Sequence, residues 1–173
     1  WDPQPDAESY ADLLKSAYAA AKDADPTCTI VGGATSLTDL PFLDAVGNAG
    51  GLAAMDAVST HPYSLADGPV EARLAAQIRN VRRLLARHGV PDLPIWVTEI
   101  GWLADPAREA DVERQAAFLA QTMAVLRAEA VARVCWFNLV DWSEKWGIVT
   151  QEGARKRSFE AYRQAASVLD DAV

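Results

Sequence analysis

Apolar residues recur along this chain in two alternating rhythms. Between Ala7 and Ala24, Tyr10, Leu13, Leu14, Ala17, Tyr18 and Ala21 return at three- and four-residue steps, which predicts an amphipathic helix. Asp6 is placed to cap its first turn, and Asp25-Pro26 stops it. Residues 28–31 (Cys-Thr-Ile-Val) read as a short strand ended by Gly32-Gly33. Thr38 or Asp39 opens a second helix with Leu40, Phe42, Leu43 and Val46 inward, and Gly50-Gly51 ends it. Residues 55–60 form the next strand, which runs into His61-Pro62-Tyr63. Asp67-Gly68-Pro69 starts a third helix with Leu74, Ala75, Ile78, Val81, Leu84 and Leu85 as its stripe and Gly89 as its C′ residue. A strand over residues 95–97 follows, bounded by Pro94 and Gly101. The last units are a helix over residues 111–128, a strand over residues 131–139, and a helix marked by Phe159, Tyr162, Ala166 and Leu169.

The order is a helix followed by four strand–helix units. That alternation predicts a parallel sheet with crossover helices, either an open doubly wound sheet or part of a (β/α)8 barrel. The unusual residues favour the barrel. Gly32-Gly33, His61-Pro62-Tyr63, Glu99 and Trp136-Phe137-Asn138 all fall at C-terminal strand ends, the face where a barrel assembles its active site. No Gly-x-Gly-x-x-Gly follows a strand and there is no P-loop, so a nucleotide-binding open sheet loses support.

By strand alternation Ile95, Val97 and Glu99 are expected on one face, an apolar face ending in a carboxylate. A carboxylate there is costly unless it is hydrogen-bonded or opens onto a cleft. It could simply cap a helix or pair with an Arg. The other strand ends offer His, Tyr, Asn, Asp and Trp. Trp faces stack on sugar rings, the polar groups bind hydroxyls, and a carboxylate can attack or stabilise an oxocarbenium-like centre.

Composition narrows the choice. A length of 173 residues suits one domain, and half of them are hydrophobic. The net charge of -8 argues against a nucleic-acid partner. The one basic cluster, Arg155-Lys156-Arg157, reads as a solvated helix start. No apolar run approaches the roughly 18 residues of a membrane span, so no membrane partner is expected. No signal peptide is visible; the compartment stays open, an extracellular one being favoured. Cys28 and Cys135 lack metal-ligand spacing and read as free thiols packed near strands. No cofactor or metal is implied.

Four motifs carry a resemblance: Val31-Gly32-Gly33, residues 56–63 (Asp-Ala-Val-Ser-Thr-His-Pro-Tyr), residues 96–102 (Trp-Val-Thr-Glu-Ile-Gly-Trp), and residues 136–141 (Trp-Phe-Asn-Leu-Val-Asp). Trp146-Gly147-Ile148-Val149 and Phe159-Glu160-Ala161-Tyr162 extend it. Over nearly all its length the chain resembles the C-terminal half of a clan A glycoside hydrolase, closest to family 39. The resemblance implies half a (β/α)8 TIM barrel: strands five to eight with their helices, preceded by helix four, as one portion of a single catalytic domain spanning residues 1–173. It implies Glu99 as the catalytic nucleophile and Tyr63 as its hydrogen-bonding neighbour. It implies His61 as a polar rim residue and Trp136 as the floor of the cleaved sugar's subsite, with Trp102, Asn138, Asp141 and Trp142 lining the cleft. A non-proline cis peptide between Trp136 and Phe137 is a further expectation.

The expected function is a retaining glycoside hydrolase acting on β-linked oligo- or polysaccharide. Its alternatives are a non-catalytic carbohydrate-binding barrel and a structural half-barrel. Retention needs a second carboxylate about 5–5.5 Å from the first. The clan's Asn-Glu-Pro motif for the acid/base does not occur in this sequence. The chain is therefore expected to supply the nucleophile half and to be inactive alone. A barrel typically takes about 250 residues. The inward faces at Val58, Ile95, Val97 and Val134 and the edges at Ile30-Val31 and Val134-Cys135 are expected to need cover. The N-terminal half-barrel, or a second copy, is the expected partner.

Overall fold

The computed structural model describes residues 4–63, 68–69 and 73–170. Helix α1 (Ala7–Ala24) leads into β1 (Val31–Ser36), α2 (Leu40–Asn48) and, after a short 3-10 turn, β2 (Ala57–His61). Then come α3 (Leu74–Arg87), β3 (Ile95–Ile100), α4 (Glu109–Ala128), β4 (Arg133–Trp136) and α5 (Arg157–Asp170). The helix ends follow from local chemistry. Asp6 accepts from the Ser9 N–H at 3.0 Å, and Asp39 caps α2 through the Phe42 N–H at 3.0 Å. Past α3, Gly89 at φ 75° allows the Val90 N–H to reach the Leu85 carbonyl at 3.0 Å and the Gly89 N–H to reach that of Ala86 at 3.2 Å. These two bonds satisfy carbonyls that the helix end would otherwise strand.

The four strands are parallel and sit in chain order, β1-β2-β3-β4. A doubly wound sheet reverses its order at a switch point; this sheet does not. One apolar cluster joins Leu14 of α1, Leu43 of α2, Ile78 and Leu85 of α3 and Leu126 of α4 to Val58, Ile95 and Val97. Those helices therefore cover one face of the sheet. The arrangement is that of half a TIM barrel, with helices outside and the other face turned inward.

Several expectations change. β1 runs through the glycines instead of ending at them. Ile30 gives its N–H to the Asp56 carboxylate at 2.7 Å rather than to a neighbouring strand, so the ladder begins one residue later. Gly33 sits at φ 94°, where an added Cβ would lie 2.5 Å from the Ser59 carbonyl oxygen. Helix α3 begins at Leu74, with Arg73 before it at φ 52°; the Asp67 expected near its start lies outside the described residues. β4 is shorter than expected because the Asn138 and Leu139 carbonyls turn to accept from the Ile148 N–H. Cys135 is exposed rather than packed, and Cys28 is partly buried.

The largest correction concerns facing. Val58, Ile95 and Val97 do not line a bare barrel interior. They are at most 1% exposed, packed against the helices, and Val134 borders the same cluster. The inward face instead carries Ser59, His61 and Thr98, linked to one another by hydrogen bonds. The basic cluster is also not wholly solvated: Arg155 and Arg157 are exposed, but Lys156 is buried.

At the N-terminal ends of the strands, Asp56 ties α1 to the sheet. It accepts from the Ile30 N–H, from Tyr18 Oη at 3.1 Å and from Lys22 Nζ at 2.9 Å. On a barrel that end carries stability and the opposite end chemistry.

Candidate active site

Glu99 owes its position to a break in the pairing of β3. Val97 faces Val134 and Ile100 faces Trp136, so three steps on β3 match two on β4. Such a bulge flips the residues beyond it to the other face. Ile100, 1% exposed, takes the core position that alternation would give to Glu99. The Glu99 side chain is 39% exposed at the rim. Burying an unpaired carboxylate among Ile95 and Val97 would cost several kcal/mol, whereas burying Ile100 there contributes about 1.5–3 kcal/mol. Gly101 completes the site's frame: a Cβ at this position would collide with the Phe137 carbonyl oxygen.

Two side chains from the end of β2 reach Glu99. Tyr63 donates its hydroxyl to Oε2 at 3.4 Å, a long hydrogen bond, and His61 Nδ1 lies 3.6 Å from the same oxygen. Burial first, and then the negative charge of Glu99, push the Tyr63 phenol well above its usual range, so it remains a donor. His61 Nε2 lies 2.9 Å from Thr98 Oγ1, and the Thr98 hydroxyl in turn contacts Ser59 Oγ.

An aromatic row continues from Tyr63. Its ring meets Trp146 edge-on at 5.6 Å between centroids, Trp146 meets Phe137 at 6.2 Å, and Phe137 meets Trp142 at 5.4 Å. Trp142 is 46% exposed. The Trp146 indole donates to Glu144 at 2.8 Å. Trp102 and Trp136 form a separate pair at 6.0 Å, and Trp102 meets Phe118 of α4 at 5.6 Å. Both border the helix-side cluster, so the structure does not join them to the row beside Glu99. The non-proline cis peptide is Phe137–Asn138, one bond beyond the expected position. Asn138 Oδ1 and Trp136 Nε1 are buried without a partner.

Asp141 is a correction. It is 3% exposed and does not line a cleft. Lys156 Nζ lies 2.9 Å from its Oδ1 and 2.8 Å from its Oδ2, and the Gly147 N–H donates to Oδ1 at 2.8 Å. Lys156 also donates to the Ala104 carbonyl at 3.2 Å. This buried pair holds the loop that carries Trp142 and Trp146 against the loop after β3.

Ser59, Thr98, Phe137 and Trp146 belong to this site and were not among the expected residues. Ser59 was findable: it lies two residues before His61 and so on the same face. Thr98 was missed because strict alternation places Glu99 on the opposite face, and only the bulge brings the two to one side. Among the described residues no group of three or more His, Cys, Asp or Glu could hold a metal ion. No described helix is long and apolar enough to cross a membrane.

A parallel sheet in chain order, helices on one face and a carboxylate at a strand's C-terminal end are the features of part of a (β/α)8 barrel seen at its active-site face. The chain belongs to the glycosyl hydrolase catalytic core family, whose family model matches residues 2–162. A GH39 β-xylosidase from Caulobacter crescentus is 25% identical, with a TM-score of 0.69 over 94% of this chain and 38% of its own. A glucosidase from Croceicoccus marinus is 17% identical with a TM-score of 0.79, over 95% of this chain and 37% of its own. A GH128 endo-β-1,3-glucanase from Amycolatopsis mediterranei is 22% identical with a TM-score of 0.66, over 92% of this chain and 65% of its own. The chain thus spans well under half the length of the first two. No curated protein sequence matches it.

Proposed function

We propose that this chain is the nucleophile-bearing half of a retaining glycoside hydrolase acting on β-linked oligo- or polysaccharide. The observation that carries the reading is Glu99 at the C-terminal end of β3, turned from the core by a bulge and approached by Tyr63 and His61. In this reading Glu99 attacks the anomeric carbon and the glycosidic oxygen leaves as it is protonated. Water then displaces the carboxylate with a second inversion, so the two steps together retain the anomeric configuration. A second carboxylate about 5–5.5 Å away must act first as acid and then as base; we assign it to the strands that complete the barrel. The donor hydroxyl of Tyr63 holds Oε2 and leaves Oε1 free for attack. The row Tyr63, Trp146, Phe137, Trp142 offers ring faces and edges to sugar C–H surfaces, which suits more than one sugar unit.

Completion of the ring is part of the proposal. β1 and β4 are the edges of the sheet, and open edges invite pairing. Beside β4, a cavity of about 450 Å³ between α4 and α5 is lined by Met123, Val134, Tyr162 and Leu169. The N-terminal half of the barrel is the partner that would pair both edges and fill this groove; a second copy is the alternative. The test is hydrolysis of aryl β-xylosides, aryl β-glucosides and β-1,3-glucan by the full-length protein, with product stereochemistry followed by NMR and the nucleophile trapped with a fluoro-sugar. A label on another residue, or inversion at the anomeric carbon, would sink the assignment.

A further inference from the structure

Glu99 ends a chain of four polar side chains that runs back into the sheet: Ser59, Thr98, His61, Glu99. Ser59 is fully buried and His61 is largely so. The direction of its hydrogen bonds is decided at the exposed end. An ionised carboxylate only accepts. If His61 Nδ1 were bare, two lone-pair-bearing atoms would face each other at 3.6 Å. At 3.6 Å the contact is longer than a hydrogen bond, but a proton on the ring nitrogen facing Glu99 turns that repulsion into attraction. In a neutral imidazole that makes Nε2 an acceptor, and the group on it is the Thr98 hydroxyl at 2.9 Å. With the Thr98 hydrogen directed to Nε2, the contact between the two hydroxyls has Ser59 as its donor.

We infer that Ser59 and Thr98 are positioning residues that fix His61 as the Nδ1–H tautomer, so that a neutral imidazole donor faces the nucleophile. This rests on reading Glu99 as an ionised nucleophile. The physical consequence is selective. A neutral donor orients the carboxylate without a full positive charge that would lower its nucleophilicity, and Tyr63, also neutral, does the same from a second direction. The backbone supports the assignment. Ser59 and His61 share a face of β2, Thr98 faces the same side from β3 by alternation with Val97, and the bulge between Val97 and Ile100 brings Glu99 to that side as well.

The chain has only two histidines, which makes the tautomer directly readable. His88 pairs with Asp44 on the far side of the helices, and His88→Gln removes its signals. Long-range proton–nitrogen correlation spectra of the 15N-labelled full-length protein at about pH 8 should show His61 Nδ1 as pyrrole-type and Nε2 as pyridine-type. Thr98→Val should move both resonances toward the other tautomer, and Thr98→Ser should restore them. In turnover, Thr98→Val should lower kcat roughly ten- to hundredfold with KM little changed, by analogy with the loss of the outer partner of a metal-bound histidine; Thr98→Ser should recover most of it. Should Thr98→Val not fold, Ser59→Ala and the wild-type spectrum still decide. A wild-type His61 protonated on Nε2, or on both nitrogens, would overturn the inference. So would a tautomer unmoved by Thr98→Val. An active enzyme with an Nε2–H ring sinks this inference alone; an inactive wild type with the Nδ1–H ring sinks the nucleophile reading alone.

Discussion

Ile100 occupies the core position that strand alternation assigns to Glu99. The exchange depends on one extra residue in β3 against β4. It places a fully apolar side chain where the helices press on the sheet and leaves the carboxylate where Tyr63 and His61 can reach it. The energy difference favours this arrangement by several kcal/mol on burial alone. The bulge is thus as much a part of the site as the carboxylate.

Replacing that carboxylate is the most direct test of its role. Glu99→Gln keeps the shape and removes the charge that the proposed nucleophile needs. It should lose several orders of magnitude in kcat while still binding sugar, measured by steady-state kinetics and by calorimetric titration with an unreacted oligosaccharide. Near-normal turnover would end the assignment.

Tyr63→Phe removes one neutral donor and little else. A hydrogen bond to a charged group is worth about 1.5–3 kcal/mol. The 3.4 Å contact sits at the weak end. A fall in kcat/KM of about tenfold is expected, with the melting temperature little changed. A loss of fold without a specific kinetic effect would make Tyr63 a packing residue only.

The Asp141–Lys156 pair should behave as a buried ion pair. The two side chains are 0% and 2% exposed. Asp141→Ala or Lys156→Met alone should cost about 3–5 kcal/mol, because each strands the other charge. The double variant should cost clearly less than the sum of the two, read by urea denaturation. Additive losses would show that the charges do not depend on each other.

Acid stability should depend on Asp56. The Ile30 N–H first, and then Lys22 and Tyr18, hold its carboxyl below the ordinary value of 3.8. A group with a depressed folded pKa contributes stability that is full above its unfolded pKa. That contribution fades as pH falls through the folded pKa. Asp56→Asn should therefore lose stability at neutral pH and show a flatter acid limb below about pH 4. Denaturation curves of the two proteins that stay parallel down to pH 2 would refute the linkage.

Much of this protein is written locally. Three- and four-residue apolar steps, caps at Asp6 and Asp39 and the Gly89 stop define helices whose formation needs only neighbours in sequence. The strand order, the strand-end location of Glu99 and its motif context are legible for the same reason. What only the tertiary structure decided depends on pairs far apart in the chain. The register slip between β3 and β4 turns Glu99 to the side where Thr98 and His61 already lie, and no periodicity announces it. Lys156 is buried because Asp141 is held beside it; by sequence it is one of three basic residues at a helix start. Trp102 and Trp136 turn toward Phe118 while Phe137 and Trp146 turn toward Tyr63. An indole or phenyl ring suits core and rim alike, so its side is chosen by the neighbours that the folded chain brings to it.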